Sequence, residues 1–110
     1  MSVVPTPEVK EYLNNLVTIL YEKGYFGSPP FAKRYVDTLL DDITKNLPAK
    51  THRPAPPYFD RYGKDMEYSV FKKNRRTEWY VFFTTYLENM EEIYLVRYIG
   101  NNHTDAHHLY

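Results

Sequence analysis

The stretch TEWYVFFTTY, residues 77–86, has the pattern of a central strand in a β-sheet. Residues two apart on a strand share a face. Both faces here carry large apolar or aromatic side chains: Trp79, Val81 and Phe83 on one, and Tyr80, Phe82 and Tyr86 on the other. Because a strand that is apolar on both sides needs cover on both sides, we expect it to lie inside a sheet.

Two further stretches with the same two-residue period flank this strand. DMEYSVF (residues 65–71) precedes it and EIYLVRYI (residues 92–99) follows it, and both are rich in β-branched and aromatic residues. The polar segments KKNRR and LENME separate the three stretches. This pattern predicts an antiparallel meander. SVV at residues 2–4 is a candidate for one further short strand, which Pro5 would end.

The first half of the chain shows the three- and four-residue spacing of two amphipathic helices. The first helix is predicted within residues 6–24, with Thr6 as N-cap and Gly24 as the stop. The second is predicted to begin after Ser28 and to end before Pro48. The predicted core stripes are Val9, Leu13, Leu16, Val17 and Leu20 in the first helix, and Ala32, Tyr35, Val36, Leu39, Leu40 and Ile43 in the second.

These elements predict an α+β fold in which an N-terminal helical hairpin packs on one face of a small antiparallel β-sheet. The segment from Pro48 to Gly63 contains four prolines and has no clear period, so we expect a long, extended connection there. Loops of this length often carry function. We expect the opposite, tyrosine-rich face of the sheet to be the binding surface. The length of 110 residues fits a single domain, residues 1–110.

Composition excludes several classes of protein and of chemistry. Hydrophobic residues make up 43% and charged residues 25%, as in globular domains. No apolar run approaches the roughly 20 residues of a membrane-spanning helix, and the N-terminus lacks the features of a signal peptide, so we expect a cytoplasmic protein without membrane partners. The absence of cysteine removes disulfides, thiolate metal sites and cysteine nucleophiles. No metal or other cofactor is predicted.

The net charge is zero, which argues against binding nucleic acid mainly through the overall charge. Residues 50–76 nevertheless carry eight Lys and Arg against three Asp and Glu, a surplus of five. Four of these cations lie within five positions of KKNRR: Lys72, Lys73, Arg75 and Arg76. A solvated hairpin turn and a phosphate-binding surface both fit the residues, and we expect a turn that also flanks a functional surface.

The chain resembles the RelE/ParE superfamily of bacterial type II toxins. The most specific part is FKKNRRTEWYVFF (residues 71–83) followed by EEIYLVRYIGNNH (residues 91–103). GKDMEYSVFKKNRRTEWYVFF and NNHTDAHHL are also similar to a Bacteroidetes-type branch of plasmid stabilisation or RelE-like proteins. The resemblance implies either RelE-like cleavage of messenger RNA in the ribosome or ParE-like action on DNA gyrase. It also implies a cognate antitoxin as partner.

The resemblance also implies functional residues, with RNA cleavage favoured over gyrase inhibition. Cleavage by the 2′-hydroxyl needs proton transfer and stabilisation of charge on the phosphate, which His and Arg supply without a metal. The predicted catalytic residues are Arg76, Arg97, His103 and His107. The predicted RNA- or phosphate-binding residues are Lys72, Lys73, Arg75, Tyr98 and Tyr110, of which the last two would stack on bases.

Three of these residues, Arg97 and the two histidines, also have other interpretations. Arg97 alternates with Leu95 and Ile99 on one face of the predicted strand, where an Arg would need a partner such as Glu67 or Glu78. The spacing of the two histidines in HTDAH, residues 103–107, places them on one helical face, as in some zinc sites, but the segment is not an HExxH motif and offers no third ligand.

A function of a different class also fits the sequence. The same basic and aromatic surface would serve a non-enzymatic protein-binding module or an inactive toxin relative. Concentration of Arg76, Arg97 and a C-terminal His around one concave site would favour the enzyme, whereas dispersal of these groups would favour the binding module.

Overall fold

The computed structural model describes residues 1–24 and 26–109, and these form a five-stranded sheet with two α-helices. The elements are β1 (Ser2–Pro5), α1 (Pro7–Glu22), α2 (Pro29–Asn46), β2 (Arg53–Pro54), β3 (Glu67–Lys72), β4 (Glu78–Glu88) and β5 (Glu91–Asn101). Short 3-10 turns lie at Leu47–Ala49, Pro57–Tyr62 and Ala106–His108. Neither α-helix has the length and apolarity to cross a bilayer.

The helix boundaries follow the predicted signals. Thr6 Oγ1 accepts a hydrogen bond from the backbone N–H of Val9 at 3.2 Å, as an N-cap does. Gly24 follows α1 with φ of +77°, a conformation that suits glycine. Ser28 occupies the N-cap position of α2, but its side chain makes no capping hydrogen bond. Pro29 therefore provides the clearer start signal for α2.

The sheet has the strand order β1-β5-β4-β3-β2. β1 runs parallel to β5, and the other neighbours are antiparallel, so the sheet is mixed where the sequence predicted an antiparallel one. A tight turn would make β1 antiparallel to its neighbour, but β1 is joined to the meander through two helices. This long connection allows β1 to run parallel to β5. The predicted α+β arrangement of two N-terminal helices on a sheet is confirmed, as is the extra strand at the N-terminus.

The larger core lies between the helices and the sheet. Its buried members in α1 and α2 come from the predicted stripes, and Trp79, Val81 and Phe83 face them from β4. The two 11-residue strands β4 and β5 extend through the predicted LENME separator to a two-residue turn. Asn89 and Met90 at this turn have φ of +52° and +65°, as a type I′ hairpin requires.

A second, smaller core covers the opposite face of the sheet. It is built around Phe59, Met66, Tyr68, Tyr80 and Phe82. Phe59 comes from the Pro-rich connection, is fully buried, and stacks on Phe82 with ring centroids 4.3 Å apart. The Pro-rich connection therefore covers the centre of the tyrosine-rich face, as expected for a strand that is apolar on both sides, and this part of the predicted binding surface is not accessible.

A β-bulge in β5 breaks the predicted alternation of Arg97 with Ile99. Val96 pairs with Phe83 and Tyr98 pairs with Phe82, so Arg97 is the extra residue. After the bulge Ile99 packs in the helix-side core, whereas the Arg97 side chain reaches Thr84 on the opposite face. The prediction that Arg97 and Ile99 share a face is therefore wrong.

Candidate functional site

A cleft of about 680 Å³ opens between α1, the first residues of β4 and the turn that follows β5. This volume lies within the range of small-ligand sites. Its walls are mainly apolar and aromatic: Tyr12, Leu16, Ile19, Leu20, Phe26, Tyr35 and Trp79. Its polar side includes Lys23, Asn74, Thr77, Asn101, His103, Thr104 and Asp105. We call this concavity the cleft.

The aromatic wall of the cleft is held by one hydrogen bond and by ring packing. Trp79 Nε1 donates to the Tyr35 hydroxyl at 2.9 Å. The Tyr35 ring in turn packs against Phe26, with centroids 5.3 Å apart and planes tilted by 51°. β4 turns Trp79 towards the helices, and α2 places Tyr35 opposite it. The wall is thus a fixed surface on which a planar group can stack.

Asp105 anchors the polar side of the cleft. The residue is only 5% exposed, and its carboxylate accepts hydrogen bonds from the Tyr98 hydroxyl, the Asn101 backbone N–H and the Thr104 hydroxyl. Gly100 leaves the space for this carboxylate, because a Cβ there would overlap Asp105 Oδ2 and lie 2.8 Å from Cγ. Asp105 therefore fixes the path of the chain after β5, including His103.

Two tyrosine hydroxyls beside Asp105 resist ionisation. Burial raises the pKa of Tyr12 to about 12, and the negative charge of Asp105 adds to that effect. Burial also raises the pKa of Tyr98 far above its usual value, again with a contribution from Asp105. Both hydroxyls are therefore neutral near pH 7, and the Tyr98 hydroxyl donates a hydrogen bond to Asp105.

Two of the predicted catalytic residues, Arg76 and His103, lie at the end of the sheet where the cleft opens. His103 is exposed and lines the cleft. The side chain of its neighbour Asn102 donates from Nδ2 to the Arg76 carbonyl at 2.9 Å and accepts from the Glu78 N–H at 2.9 Å. These bonds fasten the β3–β4 turn to the chain after β5. Arg76 and His103 therefore stand at the same end of the sheet.

The other cations of KKNRR have different surroundings. Arg75 is exposed in the turn, and Lys72 is exposed at the end of β3. Lys73 is turned towards α2, where its Nζ lies 4.0 Å from Asp42 Oδ2 and its side chain is only 16% exposed. Lys73 is thus engaged by a carboxylate, which argues against its predicted role in binding phosphate.

Arg97 lies apart from the cleft, on the face of the sheet that the Pro-rich connection covers. Its Nε donates to Thr84 Oγ1 at 3.0 Å, and its aliphatic chain passes close to Gly63. Within the described ranges it makes no ion pair, so neither Glu67 nor Glu78 is its structural partner. The structure does not bring Arg97 together with Arg76 and His103.

The remaining predicted residues lie away from the rim or in packed positions. The Tyr98 ring is stacked on Tyr62, with centroids 3.8 Å apart and planes within 5°, which leaves less of the ring for a base. His107 is exposed in the last 3-10 turn, next to His108, which stacks on Tyr58 at 3.5 Å. Tyr110 lies outside the described residues.

The zinc interpretation of HTDAH also lacks its geometry. The chain from Asn102 to Asp105 forms turns, and only Ala106–His108 forms a 3-10 helix, so the two histidines are not on one α-helical face. Residues 1–24 and 26–109 contain no group of three His, Asp or Glu side chains placed to hold a metal ion.

Sequence reasoning missed Asn102 and Asp105, although both organise the rim. The available signal was NNHTD directly after a glycine at the end of a strand, since Asn and Asp commonly bond to nearby backbone groups in turns.

Comparison with known proteins found no match. No family model, no curated protein and no solved structure matches the chain.

Proposed function

We propose that this chain is the toxin of a bacterial type II toxin-antitoxin system and cleaves messenger RNA in the cytoplasm in the manner of RelE-like proteins. The chain order of a short strand, two helices, a Pro-rich connection and a three-stranded meander supports the resemblance seen in the sequence. The observation that carries the proposal is the placement of His103 on the cleft rim, at the same end of the sheet as Arg76.

The cleft and the neighbouring β3–β4 turn offer the groups that metal-independent cleavage requires. A nucleotide base stacks on the aromatic wall formed by Trp79 and Tyr35. The His103 imidazole accepts the proton of the 2′-hydroxyl as that oxygen attacks phosphorus. The Arg76 guanidinium, with Arg75 beside it, neutralises the phosphate oxygens as negative charge builds on them. The P–O5′ bond breaks, the 5′-oxygen takes a proton from water, and the products are a cyclic phosphate and a 5′-hydroxyl end.

The partner that restrains such a toxin is a cognate antitoxin. Arg75, Arg76 and His103 are exposed, so a bound protein segment can cover them and block access of RNA to the cleft. Coexpression with the antitoxin should therefore abolish RNA cleavage.

A non-enzymatic binding module is the second candidate, because Arg97 does not join the other predicted groups. In this account the apolar walls of the cleft take a side chain from a protein target, such as DNA gyrase. Ile19→Glu tests this role and Tyr21→Glu is its control: both residues are exposed on α1, at 39% and 43%, but only Ile19 lines the cleft. Growth arrest without RNA cleavage, relieved by Ile19→Glu alone, would favour the binding module.

The test of the ribonuclease proposal compares the two arginines that the resemblance implies. Wild type, Arg76→Ala and Arg97→Ala are each induced in bacteria, and new 5′-hydroxyl ends of messenger RNA are mapped. We expect Arg76→Ala to lower the number of cleavage ends at least tenfold and Arg97→Ala to retain them. Near-UV circular dichroism of each purified variant checks that it is folded. Loss of cleavage in Arg97→Ala with full retention in Arg76→Ala would contradict the proposed site.

A further inference from the structure

The outer edge of β3 is only partly paired. β2, its neighbour, has two residues and pairs with Glu67 and Tyr68 alone. Among the described residues no strand lies opposite Ser69–Lys72 on that side. An unpaired strand edge presents backbone N–H and C=O groups on which another strand can form.

The direction of the backbone groups follows from one hydrogen bond. The Met66 carbonyl accepts from the Ala55 N–H at 2.9 Å, so it points outwards, away from β4. Backbone groups on a strand alternate in direction, and those of Tyr68, Val70 and Lys72 therefore point the same way. Val70 and Lys72 lie beyond the end of β2, and each offers one N–H and one C=O to an added strand.

A concavity of about 250 Å³ lies beside this edge. It is lined by Lys50, Thr51, Arg53, Tyr68, Ser69 and Val70. The chain at Thr51 is held near β3 by the Ser69 hydroxyl, which donates to the Thr51 carbonyl at 3.0 Å, but it is not part of β2. The concavity thus lies between the chain that precedes β2 and the edge of β3 at Ser69 and Val70.

The charge of this edge is positive. Arg53 and Lys72 are exposed and enter none of the ion pairs formed by the described residues, and Lys50 Nζ lies 4.6 Å from the centre of the Phe71 ring. The edge belongs to residues 50–76, which hold the surplus of five positive charges. A second copy of the same edge would bring like charges together, so these cations disfavour self-pairing and favour an acidic partner.

We propose that the β3 edge binds an extended acidic peptide segment as an added strand. The segment forms backbone hydrogen bonds with Val70 and Lys72, and its carboxylates lie against Arg53, Lys72 and Lys50. The site is separate from the cleft, so this binding does not depend on the proposed RNA cleavage.

The probe is a fluorescein-labelled peptide of eight residues that alternates Glu and Val. We expect saturable binding to the full chain by fluorescence anisotropy, weakening as salt is raised. The double variant Arg53→Glu, Lys72→Glu should weaken binding at least tenfold. The matched control Lys10→Glu, Arg34→Glu makes the same charge change at exposed positions on the helices and should bind within twofold of wild type.

Backbone pairing is tested separately from charge. A peptide with the same sequence but N-methylated at alternate residues should lose binding, and the unmodified peptide should slow hydrogen exchange of the Val70 and Lys72 amides in NMR spectra. Equal binding of the N-methylated peptide, or equal loss in the two charge variants, would overturn the proposal. The proposal would also be overturned if a ten-nucleotide oligouridylate displaced the peptide and its binding depended equally on Arg53 and Lys72. The edge would then be a nucleic-acid surface.

Discussion

Replacing Gly100 by alanine should move Asp105 and release the chain that carries His103. The added Cβ would overlap the carboxylate of Asp105, a residue that is only 5% exposed. Three donors then lose their shared acceptor: the Tyr98 hydroxyl, the Asn101 N–H and the Thr104 hydroxyl. A hydrogen bond to a charged group contributes about 1.5–3 kcal/mol, and water restores part of that for the displaced groups. We expect the free energy of unfolding to fall by about 3 kcal/mol.

The assay is urea denaturation followed by the fluorescence of Trp79, the one tryptophan of the chain. A loss of about 3 kcal/mol corresponds to a decrease in Tm of about 15 °C for a domain of this size. Gly27→Ala is the control, because a Cβ at Gly27 meets nothing within 4 Å. A double-mutant cycle then isolates the cause. In an Asp105→Ala background, Gly100→Ala should lower stability by less than about 1 kcal/mol, since the overlapping carboxylate is gone.

A Gly100→Ala variant as stable as Gly27→Ala would show that the added Cβ does not displace Asp105. The prediction would also be contradicted if Gly100→Ala lowered stability equally with and without the Asp105 carboxylate, because the effect would then arise elsewhere. A large loss of stability in Gly100→Ala that is much smaller in the Asp105→Ala background would show that the absence of a side chain at Gly100 makes room for the Asp105 carboxylate.

Two further predictions concern stability. Gly63→Ala should lower the free energy of unfolding by about 2 kcal/mol in urea titrations, because Gly63 has φ of +156° and an added Cβ would lie 2.8 Å from Arg97 Cδ; an unchanged midpoint would contradict this. The raised pKa of Tyr12, about 12 against 10 in the unfolded chain, gives stability that is complete below pH 10 and is lost as pH rises through 12, because the unfolded state releases its proton first. Between pH 9 and pH 11.5, the free energy of unfolding measured by urea titration should fall less for Tyr12→Phe than for wild type. An equal fall in both proteins would contradict the raised pKa of Tyr12.

The fold was predictable where local patterns and packing agree. The apolar stripes of the helices, the proline and glycine signals at their ends and the period of two after Met66 all correspond to observed elements. Strand ends were less predictable. LENME looked like a loop because of its charges, yet Asn89 and Met90 alone form the turn and the surrounding residues extend the strands. A hairpin that projects beyond the core tolerates charged residues, since both of its faces are exposed there.

The two-residue period of β4 predicted cover on both faces of the sheet, but it did not identify the segment that covers the second face. The Pro-rich connection has no regular pattern of apolar residues. Its one buried residue, Phe59, stacks on Phe82, and the sequence alone did not predict this contact. The sequence also carried no signal for the bulge that separates Arg97 from the face of Ile99. A single bulge residue changes which side chains share a face, and neither the bulge residue Arg97 nor its neighbours Val96 and Tyr98 is a glycine or proline that would mark it.

The candidate site was predictable in part. Arg76 and His103 were named from the sequence, and their common position depends on hydrogen bonds of Asn102 across 26 residues of chain. Contacts of that length are set by how the strands align, which no local motif records. The resemblance of motifs likewise predicted Arg97 in the same site as Arg76 and His103. In the structure Arg97 bonds to Thr84, on the face of the sheet away from the helices.

The most direct test of the account compares two histidines of the C-terminal segment. Wild type, His103→Ala and His107→Ala are expressed as brief pulses in bacteria, and new 5′-hydroxyl ends of messenger RNA are counted at equal levels of folded protein. Both histidines are exposed, but only His103 lines the cleft. The account predicts abundant ends with wild type and His107→Ala and at least a hundredfold fewer with His103→Ala. Ends that persist in His103→Ala, or their absence from wild type, would contradict it.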